Sequence, residues 1–224
     1  MGASAARSID FYTFIHKSLR RQLLDLLIAA GALDFTDRAA LMRLSSDFER
    51  LLSNLRAHAQ HEDKFLHPVL AQYLPEAKER FATAHGKQEA WLDSMERDFR
   101  TASDAHSTEL GAAFVRELGR FVGYYLVHLA EEEDLNADIA VKVPRDELLS
   151  AMAAFQASRS SDQVTRDLEL MLPALNRQDR FAVLAPLETN APPAFIFVMD
   201  IARRVLDERT LVTLEKDLGV GSTG

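Results

Sequence analysis

The sequence predicts an all-α protein: an antiparallel, up-down-up-down four-helix bundle followed by a helical C-terminal subdomain. Apolar residues recur at alternating spacings of three and four over long stretches, the pattern of a helix with one buried face. No stretch alternates with a period of two for long, so no strand is expected. Nine glycines and seven prolines are few for 224 residues. The predicted connections are short, which favours antiparallel neighbours.

The first helix is predicted from about Ser8 to Ala30, and Gly31 is its expected C-cap. The second is predicted from an N-cap at Thr36 to about Tyr73. Pro68 lies inside this second helix and is expected to kink or distort it, because a proline removes one backbone hydrogen bond and clashes with the preceding turn.

The third helix is predicted from about Pro75 to Thr101 and the fourth from about Ser107 to Val141. The character of the chain changes after Val143, where Pro144 and the acids that follow predict a new helix start. We therefore expect two domains, a bundle in residues 1–143 and a helical C-terminal extension in residues 144–224. Short amphipathic stretches fill the extension, which holds no histidine.

Polar residues replace apolar ones on the buried seams of the four bundle helices. Each seam carries a histidine, and three of the four histidines precede a glutamate by four residues: His16, His58 with Glu62, His85 with Glu89, and His128 with Glu132. A buried imidazole or carboxylate is unfavourable unless something binds it. Because helices of an antiparallel bundle can bring these positions to one level, the pattern predicts a shared metal site.

The donor set indicates the metal. Imidazole nitrogen and carboxylate oxygen without sulfur suit iron or manganese and, less specifically, zinc. Four histidines with Glu62 and Glu132 are too many ligands for one ion but suit two six-coordinate ions bridged by carboxylates, about 3.5–4 Å apart. Glu89 is either a further ligand or an acceptor for a ligand's ring N–H group.

Other polar and aromatic residues near the seams have simpler interpretations. Tyr12 and Tyr125 lie one turn from proposed ligands and are expected to pack in the core, although a hydrogen bond to a metal-bound oxygen is the alternative. Trp91 is expected in the core and His61 at the flank of the second helix. The remaining candidates are expected to be solvated: His67, His106, Glu131 and Glu133.

The ordered ligand pattern resembles that of the hemerythrin-like, or HHE cation-binding, domain family. The resemblance covers about residues 8–141 and rests on His16, His58-x-x-x-Glu62, His85 and His128-x-x-x-Glu132, with Pro68 six residues after Glu62. It implies a non-haem di-iron centre. Family members carry or sense oxygen, react with peroxide or nitric oxide, or sense iron.

Two positions differ from the family's oxygen carriers and resemble the broader HHE group instead. The carriers have a histidine where this chain has Glu89. Their fourth helix has an aspartate one residue beyond the position of Glu132. The resemblance therefore implies a di-iron site without implying reversible oxygen carriage.

Charge and composition exclude several classes of function. A net charge of −8 argues against a nucleic-acid partner. The absence of cysteine excludes thiol catalysis, iron–sulfur clusters and disulfides, and it fits a reducing compartment. No signal segment and no bilayer-spanning apolar run is evident. We therefore expect a soluble, cytoplasmic protein with no membrane partner.

Three functional hypotheses follow. The protein binds or senses a small ligand such as oxygen, nitric oxide or peroxide, or iron itself. Alternatively, it is a di-iron redox enzyme that consumes peroxide or another small oxidant. In the third hypothesis the metal mainly stabilises the fold. The C-terminal helices are expected to pack on the bundle, to form a homodimer surface or to contact a partner, and the sequence does not choose among these roles.

Overall fold

The computed structural model describes residues 9–220, and within this range every regular element is helical. The predicted start of the first helix at Ser8 lies outside the described residues. The helices in chain order are α1 (Thr13–Gly31), α2 (Arg38–His61), a π-helical segment (Glu62–Leu66), α3 (His67–Tyr73), α4 (Pro75–Ala105), α5 (Thr108–Lys142), α6 (Arg145–Ala157), α7 (Ser161–Met171), a 3₁₀ turn (Leu172–Ala174), α8 (Arg177–Asn190), α9 (Pro192–Val205) and α10 (Glu208–Leu218).

Helix ends differ from the prediction where a side chain finds a better partner. The N-cap of α2 is Asp37, whose carboxylate accepts from two backbone N–H groups of the first turn. The predicted cap, Thr36, instead donates its hydroxyl to Asp34. Gly31 is the last residue of α1, and it does not have the left-handed backbone conformation expected of a C-cap glycine. That conformation is found instead at His106, the C-cap of α4 (φ 46°).

The distortion predicted at Pro68 takes the form of the π-helical segment. Pro68 lies in the first turn of α3. A proline is tolerated there because the backbone N–H groups of a helix's first turn have no acceptor within that helix. The backbone N–H of His67 bonds to the carbonyl of Glu62, five residues back. The turn immediately before the proline is therefore widened, as is common at functional sites.

The chain divides into two compact units. The first contains Leu19–Ala157 and the described residues up to Tyr12. The second contains the described residues from Ser158 onward together with Thr13–Ser18, the beginning of α1. The boundary falls after α6, later than the predicted boundary at Val143. The reason is that Leu148 on α6 joins the apolar cluster of α3, α4 and α5.

The first unit has an apolar core on both sides of the polar cluster described below. One side contains Phe48, Phe99 and Phe114, whose rings lie 4.9–5.5 Å apart. The other contains Leu70, Phe81 and Ile139, which are all buried. Since apolar side chains surround the intervening histidines and glutamates, water is largely excluded from them.

The second unit has its own core, built from apolar side chains of α7 to α10 and the 3₁₀ turn. Capping boxes start two of its helices: the predicted box of Ser160 and Gln163 on α7, and a second formed by Asn176 and Asp179 on α8. The predicted end at Gly219 has the left-handed conformation that favours glycine (φ 71°). Across residues 9–220, no helix combines the length and apolar character needed to cross a bilayer.

Candidate metal centre

His58 and Glu62 lie at the junction between α2 and the π-helical segment. His58 is in the last turn of α2 and Glu62 begins the π-helical turn, and both are buried. The Nε2 atom of His58 lies 3.2 Å from Oε1 of Glu62. The spacing of four therefore places the imidazole and carboxylate side by side on the interior face, as predicted.

His128 and Glu132 form the equivalent pair on α5. Both are almost wholly buried, and Nε2 of His128 lies 2.9 Å from Oε1 of Glu132. Tyr125, one turn earlier on the same face, packs edge-on against the ring of His128 at 5.6 Å. The phase of α5 thus follows the predicted seam.

His85 on α4 connects the two pairs. Its Nε2 atom lies 3.3 Å from Oε2 of Glu62 and 3.5 Å from Oε1 of Glu132. One imidazole nitrogen therefore faces both carboxylates.

His16 is wholly buried on α1, a helix that runs without interruption from Thr13 to Gly31. One donor atom from each of His16, His58, Glu62 and Glu132 lies within 4.8 Å of the others, and the same holds for His85, His128 and Glu132. The structure thus brings together six of the seven predicted ligands in two sets that share Glu132. Each set is compact enough to hold a metal ion.

The structure does not bring Glu89, the seventh, to this cluster. Its side chain is 52% exposed and accepts a hydrogen bond from Arg56 Nε at 2.9 Å. The buried residue after His85 on α4 is Gln88, three residues on rather than four. The buried positions of α4 already advance by four twice before His85, at Ala77 and Phe81. A step of three at this point keeps the buried positions on one face, and the packing of α4 selects it over a step of four.

Asp63 and His67 were missed as members of the site, and the expectation that His67 is solvated was wrong. His67 is buried, and its ring stacks on His85 with centroids 5.2 Å apart. Asp63 Oδ1 lies 2.7 Å from Nδ1 of His67 and 2.9 Å from Nδ1 of His85. The spacing of four is compatible with one shared face, but it is the π-helical turn containing Asp63 that brings both residues to His85.

The other expectations have mixed outcomes. Glu131 is exposed as predicted. Glu133 is instead paired with Arg20 through two contacts of 2.6 and 3.0 Å. His106 accepts a hydrogen bond from Arg38. Trp91 is half-buried and donates to Glu117, and His61 lies at the helix flank, where its ring packs against Phe155.

When no metal is present, the pKa values of Glu62 and Glu132 are shifted in opposite directions. Burial raises the pKa of Glu62, and the nearby charge of Glu132 raises it further. Burial alone would also raise the pKa of Glu132, but hydrogen bonds from His128 and His85 outweigh it and hold that pKa well below its usual range. For His85, burial opposes the charged form, yet hydrogen bonds to Glu132, Glu62 and Asp63 raise its pKa to about 10. Without a metal, His85 therefore supplies the cluster's compensating positive charge.

Two tyrosines, Tyr12 and Tyr125, lie close enough to these carboxylates for the negative charge to shift their pKa values. Burial and the negative charges of Glu62 and Glu132 raise the pKa values of Tyr12 and Tyr125 well above 10.0. The hydroxyl of Tyr125 is buried and has no hydrogen-bond partner among residues 9–220. A buried orphan hydroxyl beside a polar cluster is an available donor for a ligand bound there.

The donor chemistry fits metal ions. Four imidazoles and two carboxylates converge inside an apolar shell, so their lone pairs have little competition from water. Oxygen and nitrogen donors without sulfur match first-row divalent and trivalent ions. His16, His58, His85 and His128 would contribute nitrogens, and Glu62 and Glu132 would contribute oxygens.

Comparison with known protein families agrees with this geometry. The sequence profile of the hemerythrin HHE cation binding domain matches residues 7–140, more than half of the chain. Neither the search of curated proteins nor the search of solved structures gave a match. The matched range contains every residue of the cluster and ends within α5. This chain belongs to the hemerythrin HHE cation-binding domain family.

Proposed function

We propose that the cluster binds two non-haem iron ions bridged by Glu62 and Glu132. The observation that carries this proposal is the position of His85, whose Nε2 atom lies within 3.5 Å of both carboxylates. Two carboxylates that share one neighbouring imidazole are close enough to bridge a pair of ions. Manganese or zinc would fit the same donors, and iron is the metal that the family resemblance implies.

We further propose that α1, α2, α4 and α5 form the antiparallel, up-down-up-down bundle that the family resemblance implies. Support comes from the connections: only His106 and Ser107 separate α4 from α5. So short a link favours antiparallel neighbours. Distance measurements between spin labels at both ends of each helix would test the arrangement, and a parallel pair would contradict it.

The proposed function of the centre is to bind or sense a small ligand such as oxygen, nitric oxide or peroxide. Support comes from burial: the donors are between 0% and 8% exposed, so only a small molecule could reach ions held there. Bound iron would supply ligand-binding and one-electron redox chemistry. The protein's own contribution is to hold the donors, to exclude water through residues such as Phe81, whose ring lies 5.9 Å from that of His128, and to offer the Tyr125 hydroxyl as a hydrogen-bond donor.

The alternative function is a redox enzyme that consumes peroxide or another small oxidant at the same centre. Tyr125 is the observation that favours it. Its buried hydroxyl is adjacent to His128 and could deliver a proton to a reacting oxygen. Steady turnover of peroxide with retained iron would support the enzyme. A spectral change that reverses when the ligand is removed would support binding or sensing.

The decisive experiment begins with metal-free protein that is reconstituted anaerobically with ferrous iron. Elemental analysis should give about two iron ions per chain, because the donors fall into two sets that are each compact enough to hold one ion. Optical spectra are then recorded with oxygen, nitric oxide or peroxide. Glu131→Ala is the matched control, since Glu131 is exposed and adjacent to Glu132. One ion per chain, or none, would contradict the di-iron proposal.

A further inference from the structure

Asp63 is a half-exposed carboxylate that touches two buried histidines. Its Oδ1 atom lies 2.9 Å from Nδ1 of His85 and 2.7 Å from Nδ1 of His67. The two imidazole rings stack nearly parallel, with an interplanar angle of 10°. These are hydrogen-bond distances, so one carboxylate oxygen accepts from both rings.

This arrangement determines which nitrogen of His85 can ligate a metal ion. A neutral imidazole carries one N–H group and one lone pair, and an acceptor at one nitrogen fixes the proton there. Asp63 holds the proton on Nδ1 of His85. The lone pair is then on Nε2, the atom that faces Glu62 and Glu132.

The polypeptide holds Asp63 in place from two sides. Asp63 is the second residue of the π-helical segment, immediately after Glu62. His67, four residues on, is buried and bonds to the same oxygen. Since His67 also stacks on His85, it limits the rotation of that ring as well as the position of the carboxylate.

We propose that Asp63 is a positioning residue that holds His85 in the Nε2-ligating tautomer, and that His67 anchors Asp63 for this task. The proposal rests on the function proposed above, because it assigns a role in holding the same metal centre. A carboxylate on the far nitrogen of a ligating histidine also makes the imidazole a stronger donor. Asp63 should therefore strengthen metal binding and stabilise the more oxidised state of the centre.

The same three residues could instead ligate an additional ion, but the geometry favours hydrogen bonds. Both histidines present Nδ1 to a single oxygen, at 2.7 and 2.9 Å. An ion between them would need the lone pair of His85 Nδ1. The proton would then move to Nε2, and His85 could no longer act as a neutral ligand to the ions near Glu62 and Glu132.

The test compares the natural protein with Asp63→Ala and Asp63→Asn after iron reconstitution. Asp63→Ala removes the acceptor and should weaken iron binding about 10- to 100-fold, measured by competition with a chelator. Asp63→Asn keeps an acceptor oxygen but loses the charge, so an intermediate loss is expected. The reduction potential of the centre should rise in both variants, measured by optical titration, because a less basic imidazole stabilises the oxidised ion less.

The matched control is Asp93→Ala. Asp93 is an aspartate of similar exposure that pairs with Arg56 on the surface, away from the cluster. This control should leave the iron affinity and the reduction potential unchanged. Thermal melting of the metal-free variants separates a folding defect from a loss of positioning, since a shifted potential in a normally folded variant is not a folding effect.

The outcomes separate the two proposals. If the natural protein binds no iron, the proposed function fails, and the role of Asp63 fails with it. If the natural protein binds two ions and Asp63→Ala matches it in affinity and potential, only the positioning role is wrong. Three ions in the natural protein and two in Asp63→Ala would make Asp63 a metal ligand and overturn the inference.

Discussion

Oε2 of Glu62 lies 3.3 Å from Nε2 of His85. The contact joins the widened turn after α2 to the middle of α4. It matters because the same nitrogen of His85 also approaches Glu132 on α5. Three elements distant in sequence therefore meet at one buried imidazole, and removal of either carboxylate should affect the whole cluster.

The first prediction concerns these bridging carboxylates. Glu62→Ala and Glu132→Ala should each lose both ions, because each carboxylate would touch both. His16→Ala should mainly weaken one ion, since a neutral imidazole has one nitrogen lone pair and ligates one ion. The measurement is iron content per chain after reconstitution and removal of loosely bound metal.

Glu131→Ala is the control for this series and should retain about two ions. If Glu62→Ala, Glu132→Ala and His16→Ala all keep one and the same ion, the bridging assignment is wrong. A loss of both ions in Glu131→Ala would instead contradict the orientation of α5.

The second prediction concerns Glu89. Because Glu89 is half-exposed and paired with Arg56, Glu89→Ala and Glu89→His should bind as much iron as the natural protein. The rate at which oxygen oxidises the reduced protein, followed by stopped-flow absorbance, should also be unchanged. Slower oxidation or a longer-lived oxygen adduct in Glu89→His would show that Glu89 reaches the centre after all.

Sequence reasoning could identify the donors that follow regular helix periodicity. His58, Glu62, His128 and Glu132 stand on seams of alternating three- and four-residue steps, so their inward direction follows from helix geometry alone. The choice between Gln88 and Glu89 could not be made this way, because steps of three and four both remain near the same face. The packing of α4 against its neighbours decides it.

The partners of His85 were beyond sequence reasoning for a different reason. Pro68 predicts a distortion, but not its form or its location. In the structure it becomes a π-helical turn that contains Glu62 and Asp63. Only that geometry reveals that His67 turns inward and that Asp63 contacts His85. The domain boundary likewise depends on a tertiary contact, the packing of Leu148.

The third prediction concerns packing around α5. A Cβ atom added at Gly111 would lie 2.3 Å from the ring of Phe35, which is buried and has little freedom to move. Gly111→Ala should therefore destabilise the protein by about 1–3 kcal/mol, as overpacking does. Urea unfolding of the metal-free protein measures this change.

Gly123→Ala is the matched control, because it lies on the same helix with nothing within 4 Å of the added atom. It should stabilise the protein by up to about 1 kcal/mol through helix propensity. Equal stability of the two variants would contradict the close approach of Phe35 to α5.

The fourth prediction concerns pH. The pKa of His85 is raised to about 10 in the metal-free protein, against 6.5 for a free histidine. Its protonated form therefore adds stability that is fully present below pH 6.5 and is lost as the pH rises through about 10. Metal binding needs the neutral imidazole, so a metal must displace this proton.

Iron affinity should accordingly increase with pH, by about tenfold per pH unit for each proton released. Calorimetric titrations at pH 7.5 in buffers of different ionisation enthalpy count the protons released. The natural protein should release at least one, and His85→Ala should release fewer. A proton count of zero in the natural protein would contradict the protonated state of His85.

The last prediction concerns Tyr125. It tests whether this residue only packs in the core or also donates a hydrogen bond to a bound ligand. Its hydroxyl is buried, lacks a partner among residues 9–220 and lies on the ring that packs against His128. Tyr125→Phe removes the hydroxyl and keeps the ring, so iron content and melting temperature should change little. If the hydroxyl donates to a bound ligand, nitric oxide should dissociate about tenfold faster, the effect of losing one hydrogen bond of about 1.4 kcal/mol. Tyr124→Phe is the control, since Tyr124 packs on Trp91 instead. Equal dissociation rates in Tyr125→Phe, Tyr124→Phe and the natural protein would assign Tyr125 to packing alone.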